Sequence, residues 1–157
     1  MAKTNLPIIE QRRIEANIIK PIFAELKNEL GEERAKQLLE TAIEKDALAQ
    51  GRAYAEQQSN PTNLTRFHAL LPQWTANGAL EIEPIESTET TLDYNVTRCR
   101  YAEMYKEMGL SEIGHILSCG RDGTFCKGYD ARIELTRSQT IMQGASHCDF
   151  RHRFKPK

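Results

Sequence analysis

A chain of 157 residues is long enough to bury one hydrophobic core without covalent staples. With 27% charged and 39% apolar residues it reads as an ordinary globular chain, and a net charge of -1 leaves no electrostatic footprint for nucleic acid. Met1 to Pro7 lack the apolar block of a signal peptide, and no apolar run approaches the roughly 20 residues that span a bilayer. A cytoplasmic protein without membrane or nucleic-acid partners is expected. Cys99, Cys119, Cys126 and Cys148 show neither a CxxC pair nor a disulfide-framework spacing, which fits reduced thiols.

The first half reads as helical, over about 5–74. Ile14, Ile18, Ile22, Leu26 and Leu30 recur every four residues and predict one buried helix face. Gly31 is placed to stop that helix, and Pro21 inside it predicts a kink. A second helix is expected from about Glu32 to Gln57, with Ala35, Leu38, Leu39, Ala42, Ile43 and Ala47 on its apolar face. The small residues around Gly51 fit either a core helix contact or the seam of a homo-oligomer. A short helix through Phe67, Leu70 and Leu71 is expected to end near Pro72.

From there the period changes to two, and 79–154 reads as α+β. Leu80, Ile82 and Ile85 pair as a hairpin with Leu92, Tyr94 and Val96 across the polar turn Glu86 to Thr90. Tyr101, Met104, Tyr105 and Met108 form a helical stripe closed by Gly109, and Ser111 is placed to cap a short helix through Leu117. Gly120-Arg-Asp-Gly123 reads as a turn, Ile133, Leu135 and Arg137 as a strand, and Cys148 to Phe154 as the last strand. The pattern predicts a single α+β domain over 1–157, N-terminal helices packed on one face of a small antiparallel sheet.

The densest chemistry lies in the last strand. Alternation puts Cys148, Phe150, His152 and Phe154 on one face, and His147, Asp149, Arg151 and Arg153 on the other. A local Cys-His-Asp triad is therefore disfavoured unless the strand bulges near Gly144. Activation of Cys148 needs a cation or helix N-terminus from elsewhere, such as Arg137 or the segment Cys119 to Asp122. A zinc site built from Cys99, Cys119, Cys126, His115, His147 and Cys148 is disfavoured, because no two cysteines have the close spacing of structural sites. The glycine and serine motifs of nucleotide binders and α/β-hydrolases are absent.

Three blocks together resemble the L-2-amino-thiazoline-4-carboxylic acid hydrolase family: Arg98 to Gly109, Ser118-Cys-Gly-Arg-Asp122, and Thr136 to Phe150. The resemblance extends to Arg12-Arg-Ile-Glu-Ala16 and implies a bacterial hydrolase that opens a cyclic amidine-like ring to an N-carbamoyl-cysteine-type product, with no cofactor. Ring opening needs attack on the electrophilic carbon, from Cys148 or Cys119, or from water activated by Asp122 or Asp149, with His147 a further acid-base candidate. Arg137 is the expected partner of the substrate carboxylate, with Thr140 and Arg98 as further binding residues. The competing expectations are a non-catalytic small-molecule-binding module and a metal-dependent hydrolase using Cys119, His147 or Cys148.

Overall fold

The computed structural model describes residues 6–156, so the readings made of residues 1–5 and of Lys157 lie outside it. Two long helices open the chain, α1 (Ile8–Leu30) and α2 (Glu32–Glu56), joined by Gly31 alone. Gly31 holds φ at +82°, a conformation that costs glycine nothing, and its N–H donates to the Lys27 carbonyl at 2.9 Å. The helix runs on through Pro21.

The face that α1 buries is not the isoleucine stripe. Ile14, Ile18, Ile22 and Leu30 are 58%, 61%, 51% and 48% exposed, whereas Ile8, Ile9, Arg12, Ala16 and Phe23 are buried. Two apolar stripes compete on this helix. The one that wins carries an aromatic ring and a small alanine, and it packs with Ala35, Met104, Tyr105, Ile113 and Leu117.

Next come α3 (Leu64–His68), α4 (Pro72–Thr75), β1 (Leu80–Ser87), β2 (Thr91–Cys99) and α5 (Arg100–Glu107). Pro72 starts α4 instead of ending a helix, since a proline in the first turn forfeits no helical hydrogen bond. The β1–β2 turn is closed by Thr88, whose Oγ1 accepts from the Thr91 N–H at 2.9 Å. Ser111 does not cap the next helical segment: residues 111–113 form a turn, and a π-helical turn, His115–Cys119, has Gly114 at its N-cap position and runs straight into α6 (Gly120–Tyr129). Gly120 to Gly123 is thus the first turn of a helix, not a loop. β3 (Ile133–Thr136) and β4 (Cys148–Phe154) complete the chain, connected through a short 3₁₀ turn at Ile141–Gln143.

The sheet is antiparallel throughout, in the order β1-β2-β4-β3. One face carries cross-strand polar pairs, among them Arg153 with Asp93 at 2.5 Å and Arg151 with Asn95 at 3.0 Å. The other face is covered by α3 and α6, which share a core of Leu64, Leu92, Tyr94, Val96, Phe125 and Tyr129. Behind α6 lies α2, and there the two backbones touch. A Cβ on Gly51 would stand 2.3 Å from the Phe125 carbonyl oxygen, and one on Gly128 would stand 2.2 Å from that of Leu48. The small-residue face of α2 is spent on this internal contact. The chain is one α+β domain with helices layered on one side of the sheet, and among the described residues no helix is long and apolar enough to cross a membrane.

At the centre of the covered face sits His152, 2% exposed, stacked on Tyr94 and Phe150 and donating from Nδ1 to the Leu92 carbonyl at 3.1 Å. Burial pushes its pKa down from 6.5 to about 4.

The packing and this histidine set the expected stability effects of three substitutions. Gly128→Ala should lower unfolding free energy by about 3 kcal/mol in urea titrations, because helix backbones cannot yield as a flexible side chain can. Gly123→Ala, whose Cβ meets nothing within 4 Å, should raise it by up to about 1 kcal/mol. His152 takes up its proton more readily unfolded than folded. Its contribution is therefore present above pH 6.5 and lost as pH falls towards about 4, amounting to roughly 3 kcal/mol. His152→Phe should flatten the stability curve over that window by a comparable amount.

Candidate functional site

A cavity of about 110 Å³ opens at the seam between the two core clusters. An engineered apolar cavity of about 150 Å³ accepts benzene, so this smaller space limits a ligand to no more than a single ring. The sheet supplies Tyr94, Val96, Cys148, Phe150 and His152; Phe67, Trp74, Tyr101 and Phe125 form the aromatic walls opposite. Polar groups enter at restricted points: Ser118, Cys119, Arg121 and Asp122 from the π-helical turn and α6, Arg12 from α1, Gln50 from α2, and Arg137 from the end of β3.

Asp122 and Arg137 form the central pair, at 2.6 Å. A second guanidinium nitrogen donates to the Cys119 carbonyl at 3.0 Å, and the guanidinium lies over the Phe150 ring at 4.9 Å. Arg137 is therefore held on three sides, by a charge, a carbonyl and an aromatic face. Asp122 sits deep in the protein, yet 32% of its side chain is accessible, because that surface borders the cavity. Burial pushes its carboxyl pKa up, and the Arg137 charge and hydrogen bond only partly oppose this. A carboxylate of raised basicity facing a small cavity is suited to taking a proton.

The thiols are protonated at neutral pH. Burial raises Cys99 to about 11 and drives Cys119 and Cys126 well above their ordinary value. Cys148 is also raised by burial, but its Sγ accepts from the Ile141 N–H at 3.2 Å, and Arg137 adds a further opposing pull. Of the two proposed nucleophiles, Cys148 has the surroundings that better support a thiolate.

Of the residues singled out in the sequence, Cys148, Cys119, Asp122 and Arg137 are brought together on the cavity wall. The other four lie elsewhere. Asp149 is on the opposite sheet face, as strand alternation requires, and accepts from Ser138 N and Gln139 N at 3.0 Å. Against a desolvation push upward, these bonds and the one from Ser138 Oγ keep its carboxyl below the ordinary value. His147 contacts Ser146 Oγ at 2.9 Å and the Gln139 side chain. Thr140 is buried and caps the 3₁₀ turn, accepting from Gln143 N at 3.2 Å. Arg98 is exposed and paired with Glu103 at 3.0 Å and Glu81 at 3.6 Å. Among the described residues no three His, Cys, Asp or Glu side chains cluster as metal ligands would.

Sequence reasoning passed over Arg12 and Arg121. Arg12 interrupts the buried stripe of α1 four residues after Ile8 and four before Ala16, and a charge inside an apolar helical spacing was the available signal. Arg121 neighbours Asp122 but looked like turn chemistry while Gly120 to Gly123 read as a loop.

Comparisons with known proteins agree with this geometry at the level of fold and family. No curated protein is significantly similar in sequence. Among solved structures, the phenol-responsive sensory domain of the transcription activator PoxR, crystallised with phenol, matches with a TM-score of 0.52 at 14% identity, over 87% of this chain and 73% of that one. At that identity the likeness is one of fold. Residues 11–152, which include every charged residue of the cavity wall, match the family model for L-2-amino-thiazoline-4-carboxylic acid hydrolase, and the chain belongs to that family.

Proposed function

We propose that this protein is a hydrolase that opens a small cyclic amidine, of the 2-amino-thiazoline-4-carboxylate type, to an N-carbamoyl-cysteine-type product. The observation that carries the reading is the convergence of Asp122, Arg137 and Cys148 on a cavity of one-ring size. Family membership supports the same reaction class.

In this reading Cys148 Sγ bonds to the amidine carbon while the ring carbon–sulfur bond breaks. The thiol proton passes through Asp122 to the departing sulfur, leaving an isothiourea-like adduct. Water then adds to that carbon, the bond to Sγ breaks, and Cys148 recovers a proton. One oxygen and two hydrogens are gained overall: the oxygen becomes the carbonyl of the product. Because every thiol on the wall is protonated, attack needs a proton acceptor, and Asp122 is the one carboxylate lining the cavity among the described residues. Direct attack by water would need the same acceptor. Arg137 positions Asp122 and holds it charged when the ligand excludes solvent.

A second reading is favoured by one observation. The PoxR domain of similar fold is described as phenol-responsive, and the mainly apolar walls of this cavity include six aromatic rings of Phe, Tyr and Trp. A non-catalytic pocket for a one-ring ligand would use the same walls without using Asp122 as a base.

Product formation measured by mass spectrometry over a panel of thiazolines, hydantoins and related cyclic amidines separates the two. Hydrolysis of at least one member is expected, with Asp122→Asn lowering kcat by roughly a hundredfold or more. Cys148→Ser, with folding verified by circular dichroism, should do the same. Near-normal turnover by that variant would transfer the attack to water, and an adduct trapped on Cys119 would transfer it to that thiol. Saturable binding of one-ring ligands with no turnover of any panel member would establish the pocket as non-catalytic.

A further inference from the structure

The charges around the cavity do not balance. Among the described residues three guanidinium groups line it, from Arg12, Arg121 and Arg137, against the single carboxylate of Asp122. Arg137 and Asp122 satisfy one another, which leaves Arg12 and Arg121. Both are deeply buried, at 4% and 6% exposure. Their ion-pair partners approach from outside: Glu15 meets Arg12 at 2.9 Å and Asp46 meets Arg121 at 2.5 Å, with 44% and 66% of those carboxylate side chains in solvent. A hydrated carboxylate neutralises a buried cation poorly.

Neither arginine is saturated. Only Nη1 of Arg12 has a hydrogen-bond partner among the described residues, and it is Glu15. Arg121 uses Nη2 for Asp46 and, at 3.4 Å, for Gln50, while its buried Nε has no partner. A buried donor without an acceptor costs the full desolvation of that group, so its retention on a cavity wall points to an acceptor that arrives with a ligand. The two charges also act on one place: burial raises the Tyr105 hydroxyl to about 12, both arginines pull against that rise, and the hydroxyl bonds to cavity-lining Ser118 at 2.7 Å.

We infer that Arg12 and Arg121, with the Gln50 amide, form an anion subsite that takes the carboxylate of a one-ring ligand. Arg137, already engaged by Asp122, is thereby released from carboxylate binding. The inference rests on the cavity being the ligand site of the proposed function, but not on hydrolysis. It distinguishes this pocket from one built for a neutral phenol, because a ring without a carboxylate would leave the two buried cations with only the solvent-exposed carboxylates of Glu15 and Asp46 as counter-charges.

Benzoate and benzamide test it, having the same ring with and without the charge and no hydrolysable ring bond. Calorimetric titration of the wild-type protein near neutral pH should show benzoate binding more tightly by roughly tenfold to a hundredfold. Arg12→Met and Arg121→Met should each remove most of that preference while leaving benzamide affinity within about threefold. Arg121→Lys, which keeps the charge but loses the fork, should retain part of it and serves if the methionine variant does not fold. Arg98→Ala, outside the cavity, should change nothing. Equal or weaker binding of benzoate, no saturable binding of either compound, or a preference that survives in both methionine variants would overturn the subsite. A preserved preference in a protein that hydrolyses no cyclic amidine would leave the subsite standing and remove only the hydrolase reading.

Discussion

The contact between Gly51 and Gly128 sets the spacing on which the remainder of the molecule depends. With side chains eliminated at the crossing, α2 presses directly on α6, and α6 in turn is pressed on the sheet. That three-layer stack fixes the depth of α6. The first turn of α6 then delivers Arg121 towards α2 and Asp122 towards Arg137 at the end of β3. One helical turn thus addresses both flanking layers. A bulkier residue at the crossing would displace the helix that carries the polar end of the cavity, so stability and site geometry are coupled through the same two glycines.

The cavity is a low-dielectric chamber with a few ionisable groups of unequal character. His152 is kept neutral, the thiols are kept protonated, and Asp122 is made more basic, all by the same burial. The guanidinium groups keep their charge under these conditions, because arginine does not give up its proton, and Asp122 keeps its own through the ion pair with Arg137. The result is a pocket that is apolar in its walls, with aromatic rings among them, and cationic in its excess. Such a combination orients a ring by its faces and a charged substituent by its edge.

Much of this was legible in the sequence where a local rule governs. The period-two alternation of Cys148 to Phe154 correctly separated Cys148 from Asp149, since register in a half-buried strand is set by its apolar face. The hairpin around Thr88 and the closure at Gly109 follow from turn chemistry. What was not legible depended on tertiary choice. Two apolar stripes on α1 are equally periodic, and only the neighbouring elements decide that Phe23 rather than Ile18 faces inward. Two glycines within four residues read as a loop at Gly120 to Gly123, although a helix tolerates each at about 1 kcal/mol when packing holds it. Mistaking that helix turn for a loop obscured the direction in which Arg121 points, and with it half of the cationic pole.

The protonated thiols have a consequence for how the protein meets oxidants. A thiol reacts with peroxides and alkylating reagents as its thiolate, and each of the four cysteines here is held above its ordinary pKa while the chain is folded. Unfolding returns them to a value where a few per cent ionise at neutral pH. Chemical quiescence is thus a property of the fold and not of the residues, and the rate at which these sulfurs become reactive is a measure of how often the seam between the two cores comes apart.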